Sequence, residues 1–197
     1  TLHDVAKLAG VAPITASRAI NTPQQVSEAV RQKVGDAIAR TGYVPNRLAG
    51  GLASTRSRLV AAVVPTIAGP VFLETVQALT EALAARGYQL MLGQSGYVSS
   101  REDALLEAII GSRPDGIVLT GIMHSAEGRK RLLASGIPVV ETWDLTPTPI
   151  DMLVGFSHVD VGRKVVEFLH AKGRRRLAVV SGDDERAKRR HDAFQAA

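Results

Sequence analysis

Beyond Arg58 short apolar runs alternate with helical patterns at fairly even intervals, and this rhythm limits the possible folds more than any other feature of the chain. Leu59 to Val64, Tyr88 to Leu92, Gly116 to Leu119, Pro138 to Glu141, Leu153 to Phe156 and Leu177 to Val180 have the apolar, β-branched character of short buried strands. Helical patterns lie between most of them, at about 70 to 86, 101 to 111, 126 to 134, 160 to 171 and from 186 onward. Parallel neighbours cannot be joined by a tight turn, so a helix between strands is what a parallel sheet requires. The expected body is therefore an α/β, doubly wound parallel sheet with its ligand crevice at the carboxyl ends of the strands. The Pro147 and Pro149 region is expected to be an exposed connection within this body.

The first 58 residues follow a different rule. Thr1 is placed to cap a short helix, Asp4 to complete a capping box, and Gly10 to end the helix after Val5, Leu8 and Ala9 supply an apolar stripe. A second segment runs from Pro13 to Ile20, where a proline in the first turn removes no needed donor, and Asn21-Thr22-Pro23 closes it. Ser27 then caps a longer helix to about Arg40, with Val30, Val34, Ala37 and Ile38 on one face and Gly42 as the stop. The tight Gly10-Val11-Ala12 connection is of the kind that sets two helices steeply in a helix-turn-helix. From Asn46 to Thr55 the pattern is helix-compatible, but Gly50 and Gly51 disfavour it by roughly 2 kcal/mol relative to alanines. The expected organisation is a helix-turn-helix domain at 1–45, a hinge at 46–57 and a body at 58–197.

Charge divides the chain at the same place. Up to Arg58 there are eight basic residues against three acidic ones, and the other 139 residues carry sixteen of each sign, so the whole net charge of +5 sits on the head. A small cationic head on a neutral body is the distribution expected of a polyanion-binding module. The absence of Cys excludes disulfides, thiolate zinc sites, iron–sulfur clusters and cysteine nucleophiles. The five His lack metal-ligand spacing, and neither a phosphate-binding loop nor a dinucleotide fingerprint is present, so no metal and no cofactor are expected. Ser157-His158-Asp160 reads as a strand end capping the next helix rather than a catalytic triad, and Arg174-Arg175-Arg176 as a surface loop. The apolar runs fall far short of the roughly 18 residues needed to span a bilayer, so a cytoplasmic location is expected.

Particular residues carry a resemblance. Thr1-Leu2-His3-Asp4-Val5-Ala6-Lys7-Leu8-Ala9-Gly10-Val11, Thr15, Ser17-Arg18, Asn21, Val26-Ser27 and Gly42-Tyr43-Val44-Pro45-Asn46-Arg47 resemble, in spacing and order, the lac-repressor/galactose-repressor family of bacterial regulators. Pro65, Phe72, Gly87-Tyr88, Asp115-Gly116-Ile117, Gly136-Ile137-Pro138-Val139-Val140 and Gly182 continue the likeness through the body. Within the family the gluconate-operon repressor branch is most similar, through Tyr97, Val140-Glu141, Val154-Gly155-Phe156 and Asp184-Glu185-Arg186. The resemblance implies a regulator, associated with the bacterial nucleoid, that binds double-stranded operator DNA as a homodimer and answers to a sugar or sugar-acid effector.

It also implies roles. Pro13, Ile14 and Arg18 occupy the positions that read bases; Arg18 suits a guanine, while the two apolar residues suit thymine methyls. Ile14 is alternatively a core position of the bundle. Thr15, Ser17, Asn21, Gln25 and Asn46 are short polar groups suited to phosphate contacts, or else caps and turn residues. Arg47, Leu48, Ala49 and Leu52 resemble the family's hinge helix, with Leu52 as a minor-groove wedge, or else a residue packed on the body.

The body resembles the two-lobed periplasmic sugar-binding fold, in which an effector shifts the population of lobe arrangements. Phe72, Tyr97, Glu141, Trp143, Phe156, Arg186 and Arg190 are the expected cleft residues, with Phe72 and Trp143 against a sugar face and one arginine clamping a carboxylate. Phe72 and Phe156 are alternatively core, and Arg186, Lys188, Arg189 and Arg190 alternatively a solvated face; that bland reading is expected for Lys188 and Arg189. Trp143 stands where many relatives have a hydroxyl-binding aspartate, which favours a sugar acid such as gluconate over a neutral aldose. Family members run well beyond Ala197, so the second lobe is expected to be incomplete. The rival reading is a sugar-binding or sugar-processing α/β enzyme with a helical interaction module; no acid/base pair supports it.

Overall fold

Thr1 Oγ1 accepts the backbone N–H of Asp4 at 3.4 Å, and the Asp4 carboxylate reaches back, so the capping box opens α1 (Leu2–Ala9) as its sequence dictates. The computed structural model describes residues 1–45, 56–96, 99–122 and 124–197. Gly10 ends α1 in the left-handed region at φ 65°, which a side chain would strain. α2 (Pro13–Asn21) follows with Pro13 in its first turn, and α3 (Glu28–Thr41) ends at Gly42, again left-handed. Ser27 is the N-cap residue of α3 but makes no side-chain capping bond. Between α2 and α3 lies a 3₁₀ turn, Pro23–Gln25, which the sequence reading did not anticipate.

Val5, Ala6, Ala9, Ala16, Val34 and Ala37 form the core of this head, with Leu2, Val11, Ile20, Val30, Ile38 and Tyr43 packed around it. Four of the six buried residues are alanines, so the helices meet through small side chains. The contact-defined unit extends from Thr1 to Ser57. Of the hinge expected at 46–57, residues 46–55, which include Asn46, Arg47, Ala49 and Leu52, lie outside the described residues.

The second unit, Arg58–Ala197, is built on five parallel strands. In chain order its elements are β1 (Leu59–Val64), α4 (Leu73–Ala84), β2 (Gln89–Gln94), α5 (Ser99–Gly111), β3 (Gly116–Thr120), α6 (Ala126–Ser135), β4 (Val139–Thr142), β5 (Met152–Val154), α7 (His158–Ala171) and α8 (Glu185–Ala196). The strand order β2-β1-β3-β4-β5 places the reversal of winding between β1 and β3. On one face Ala61, Val63, Ile117, Leu119 and Val139 pack with Leu106 and Ile109 of α5 and Leu132 of α6. Strand residues alternate in direction, so Val118, Val140, Thr142 and Val154 point the other way and line a groove with Ala78 and Leu79 of α4.

Five of the six expected strands are present within two residues of their expected ends. Leu177 to Val180 is not a strand: it has no ladder partner among the described residues, and Val180 is fully exposed. β-branched composition alone does not make a strand when no neighbouring edge receives its backbone groups. Phe168 at 61% and Val154 at 68% exposure likewise leave apolar surface open.

Two glycines fix close approaches. A Cβ at Gly155 would lie 2.0 Å from the Asp144 carbonyl oxygen, and one at Gly162 of α7 would lie 2.3 Å from the Arg190 carbonyl of α8. Gly155→Ala is therefore expected to destabilise the body by about 3 kcal/mol. Gly35 of α3 has open space around it, and Gly35→Ala is expected to stabilise the head by about 0.5–1 kcal/mol. Urea unfolding followed by circular dichroism checks both signs.

Candidate functional site

Two places concentrate exposed or buried polar chemistry: the outer face of α2 in the head and the carboxyl edge of the sheet in the body. In α2, Ala16 is fully buried, and this anchor decides what the rest of the short helix presents. Pro13, Ile14 and Arg18 lie on the exposed side, Ile14 with 63% of its surface open, so its core alternative does not apply. An exposed isoleucine next to an exposed arginine, on a helix whose N-terminus no side chain caps, is an unpartnered surface. Ser17 Oγ accepts a hydrogen bond from Asn21 Nδ2 at 3.2 Å, and the Thr22 hydroxyl lies 3.5 Å from Gln25 Oε1. Thr15 is half-buried; Asn21 and Gln25 are exposed. Thr15, Ser17 and Asn21 thus share α2 with Ile14 and Arg18, Gln25 lies in the turn that follows, and Asn46 falls outside the described residues.

In the body, the segments leaving β1, β4 and β5 bring three aromatic rings into a chain. Phe72, in the Pro70–Phe72 turn after β1, meets the edge of Trp143 at 5.0 Å between ring centroids. Trp143 meets Phe156 at 5.8 Å, and Phe156 meets the imidazole of His158 at 4.9 Å, all near-perpendicular. Such edge-to-face contacts stabilise aromatic pairs by about 0.5–1.5 kcal/mol beyond burial. Phe72 is buried and supports Trp143 from behind, whereas Phe156 is 41% exposed. Trp143 sits at φ 67°, an uncommon conformation for a bulky residue, held by its N–H donating to the Val154 carbonyl at 3.2 Å.

α8 brings the cations. Asp184 caps it, accepting from the N–H groups of Arg186 and Ala187 at 3.0 and 3.1 Å. Arg186 lies beside Gly121, just past β3, with its Nε 3.8 Å from Asp184 Oδ1. Arg190 donates to His158 Nδ1 at 2.8 Å and makes no ion pair with a carboxylate among the described residues. His158 is the first residue of α7, where Ser157 caps the helix by accepting the Asp160 N–H, as its sequence position predicts. Its Nε2 lies 2.9 Å from the Trp143 carbonyl oxygen. Burial pushes the His158 imidazole below its ordinary value; the Trp143 carbonyl and Asp144 oppose that, and Arg190 and Arg186 reinforce it.

Several expected positions need correction. Arg189 is not part of a solvated face: its guanidinium grips the buried Asp144 carboxylate in a bidentate pair at 3.1 and 2.7 Å. Residues three and four apart on a helix face one way, so the turn that aims Arg186 and Arg190 at the sheet also brings Arg189 within reach. Glu141 does not face the cleft. It alternates with Val140 and so shares the buried face of Val139, where its Oε2 accepts the Ile150 N–H at 2.6 Å and its Oε1 lies 3.4 Å from His124 Nε2. The other nitrogen of His124 is 2.5 Å from Glu102 Oε1. Tyr97 lies outside the described residues. Sequence reasoning missed Asp144 and His158 as partners of α8, and the signal for them was a titratable residue following an aromatic one just past each strand end.

The arrangement can do one thing well chemically. Asp144 is neutralised by Arg189, and the Arg190 guanidinium, with no carboxylate partner among the described residues, is bonded to the His158 ring that ends the aromatic chain. That combination suits a small anion with an apolar or ring face.

Known proteins share this organisation. The family described as "Bacterial regulatory proteins, lacI family" matches residues 1–46, and "Periplasmic binding proteins and sugar binding domain of LacI family" matches residues 57–197. The chain is 39% identical to the HTH-type transcriptional regulator GntR of Pseudomonas aeruginosa, over 100% of this chain and 58% of that protein. Among solved structures, a LacI-family transcriptional regulator from Silicibacter pomeroyi superposes with a TM-score of 0.89 at 35% identity, over 100% of this chain and 60% of the other. The lac repressor dimer bound to operator and the anti-inducer ONPF superposes with a TM-score of 0.77 at 26% identity, over the same shares. The chain thus spans about 60% of the length of these relatives.

Asp144→Asn is expected to lower stability by about 2–3 kcal/mol, because it leaves Arg189 facing an uncharged, buried partner. Combining it with Arg189→Met is expected to recover most of that loss. A double-mutant cycle by urea unfolding measures the coupling.

Proposed function

Because this chain belongs to the lacI family of bacterial regulatory proteins, we propose that it acts as a sequence-specific DNA-binding transcriptional regulator. The observation that carries the reading is the exposed face of α2, where Ile14 and Arg18 stand clear of the bundle while Ala16 anchors the helix. The first turns of a second helix in a helix-turn-helix enter the major groove, where an arginine pairs bidentately with guanine and an apolar side chain meets thymine methyls. Pro13, Ile14 and Arg18 read bases in this scheme. Thr15, Ser17, Asn21, Gln25 and Asn46 fix register on the phosphates, and Arg47, Ala49 and Leu52 engage the minor groove as a hinge. The head, carrying the whole net positive charge, supplies the sequence-independent attraction to DNA.

A homodimer on a pseudo-palindromic site is the assembly this reading requires, since half-site symmetry mirrors the two-fold axis of a dimer. The protein is placed at cytoplasmic DNA, as a repressor of a sugar-acid catabolic operon. The effector is a sugar acid such as gluconate, seated with its carboxylate on Arg190, with Arg186 alongside, and its carbon chain against Trp143 and Phe156. The support for an anion is the local charge balance, in which Asp144 is already matched by Arg189.

Selection of sites from random duplex DNA at physiological salt, repeated with and without gluconate, tests the reading. It predicts enrichment of a pseudo-palindrome whose affinity moves with gluconate. Arg18→Ala is expected to lose about tenfold or more in discrimination between selected and random duplexes, with a smaller change in nonspecific affinity. Unchanged sequence preference in the Arg18→Ala protein removes Arg18 from base reading.

A further inference from the structure

The two nitrogens of His158 have different partners, and the chemistry of those partners fixes its protonation. The Trp143 carbonyl, 2.9 Å from Nε2, only accepts, so Nε2 carries a hydrogen. The Arg190 guanidinium, 2.8 Å from Nδ1, only donates, so Nδ1 offers a lone pair. A doubly protonated imidazole satisfies the first contact and breaks the second. With both nitrogens occupied, the ring only 4% exposed and one edge against Phe156, His158 has nothing left with which to touch a ligand.

We propose that His158 is the positioning residue of the effector clamp: its neutral imidazole holds the Arg190 guanidinium against the end of β4, and gaining a proton releases it. The inference rests on the cleft being a site for an anionic effector and adds how that site is set and switched. Arg190 can be aimed by side-chain contact because its backbone is already fixed. α7 and α8 touch at Gly162, where a Cβ would come within 2.3 Å of the Arg190 carbonyl. His158 opens that same α7 and is tied by Trp143 to the sheet, so one ring couples the aromatic wall, α7 and the cation.

The charged groups around the ring agree with a proton-sensitive contact. Arg190 and Arg186 of α8 disfavour an imidazolium, as does burial; Asp144, after β4, favours one but is already paired with Arg189; Asp160 of α7 is turned to Arg163. The folded protein therefore binds this proton less readily than the unfolded chain. The stability from this contact is fully present above the ordinary histidine value of ~6.5 and is lost as pH falls through the lower value that the folded protein imposes.

The sign of the effector response separates positioning from direct contact. An imidazolium touching a carboxylate tightens binding on acidification, whereas loss of the Arg190 brace weakens it. Calorimetric titration of gluconate at pH 8 and pH 5.5, where the ligand's carboxylate stays ionised, is to be run on the wild-type chain and on His158→Gln. The folding of His158→Gln is checked by thermal denaturation at pH 8. The expected wild-type result is weaker binding at pH 5.5 than at pH 8, by less than about tenfold because the buried imidazole gains its proton only below the ordinary histidine value. His158→Gln is expected to bind more weakly at pH 8 and to lose that pH dependence.

Tighter wild-type binding at pH 5.5, or the same pH slope in His158→Gln, overturns the proposal. A second readout needs no ligand: the Arg190 side-chain N–H resonance and the His158 ring nitrogens are followed by ¹⁵N NMR over the same pH range. If gluconate binds at neither pH, the sugar-acid reading fails. The positioning role then stands if the Arg190 signal titrates together with His158, and falls if it does not.

Discussion

The bidentate pair between Arg189 and the buried Asp144 carboxylate ties the last helix to the end of the sheet, and the rest of the candidate effector site depends on it. α8 packs closely on α7 at Gly162, and the Asp144 pair adds the tie from this otherwise polar helix to the end of the sheet. With it, successive arginines on the turn are sorted by geometry. Arg189 neutralises Asp144, Arg186 lies beside Gly121, and Arg190 reaches His158. Burying an ion pair is costly in itself, so its value here is in where it places neighbouring groups more than in net stability. Gly155 and Gly162 allow the backbones to come close enough for these side chains to meet.

The head solves a different problem with less material. Its core is mostly alanine, so each helix contributes little apolar area, and the capping box and the left-handed glycines at Gly10 and Gly42 carry much of the burden of defining where helices begin and end. The small core has a consequence for α2. One fully buried alanine, with Ala19 and Ile20 packed beside it, anchors a nine-residue helix, and Pro13, Ile14, Arg18 and Asn21 are left exposed. The division of labour is then physical as well as sequential: a cationic head with an open helix face, and a neutral body whose strand ends gather aromatic rings and arginines.

Features with a local physical signature were legible in the sequence. Thr1-Asp4 and Ser157-Asp160 capping, the glycine stops, Pro13 in a first turn and five apolar strands all follow from contacts within a few residues, and all appear. What depended on pairing between distant segments was not legible. Leu177 to Val180 has the composition of a strand but no edge to join. Glu141 looks like a cleft residue until the register of β4 sends it to the same side as Val139. Arg189 is indistinguishable in sequence from Lys188 beside it; only the folded position of Asp144, forty-five residues away, separates a buried pair from a solvated charge. His158 was read as part of a helix start, which it is, while its two ring partners come from β4's end and from α8.

Trp143 is the sole tryptophan of the chain and stands at the centre of the aromatic wall, so its fluorescence reports directly on the proposed site. The most direct test of the central claim, that the α8 cations and this wall form one site for an anionic sugar derivative, is a fluorescence titration with gluconate alongside glucose at equal concentrations. The account predicts a saturable change in Trp143 emission with gluconate and little response to glucose. Equal responses to both, or a response to glucose alone, contradict it.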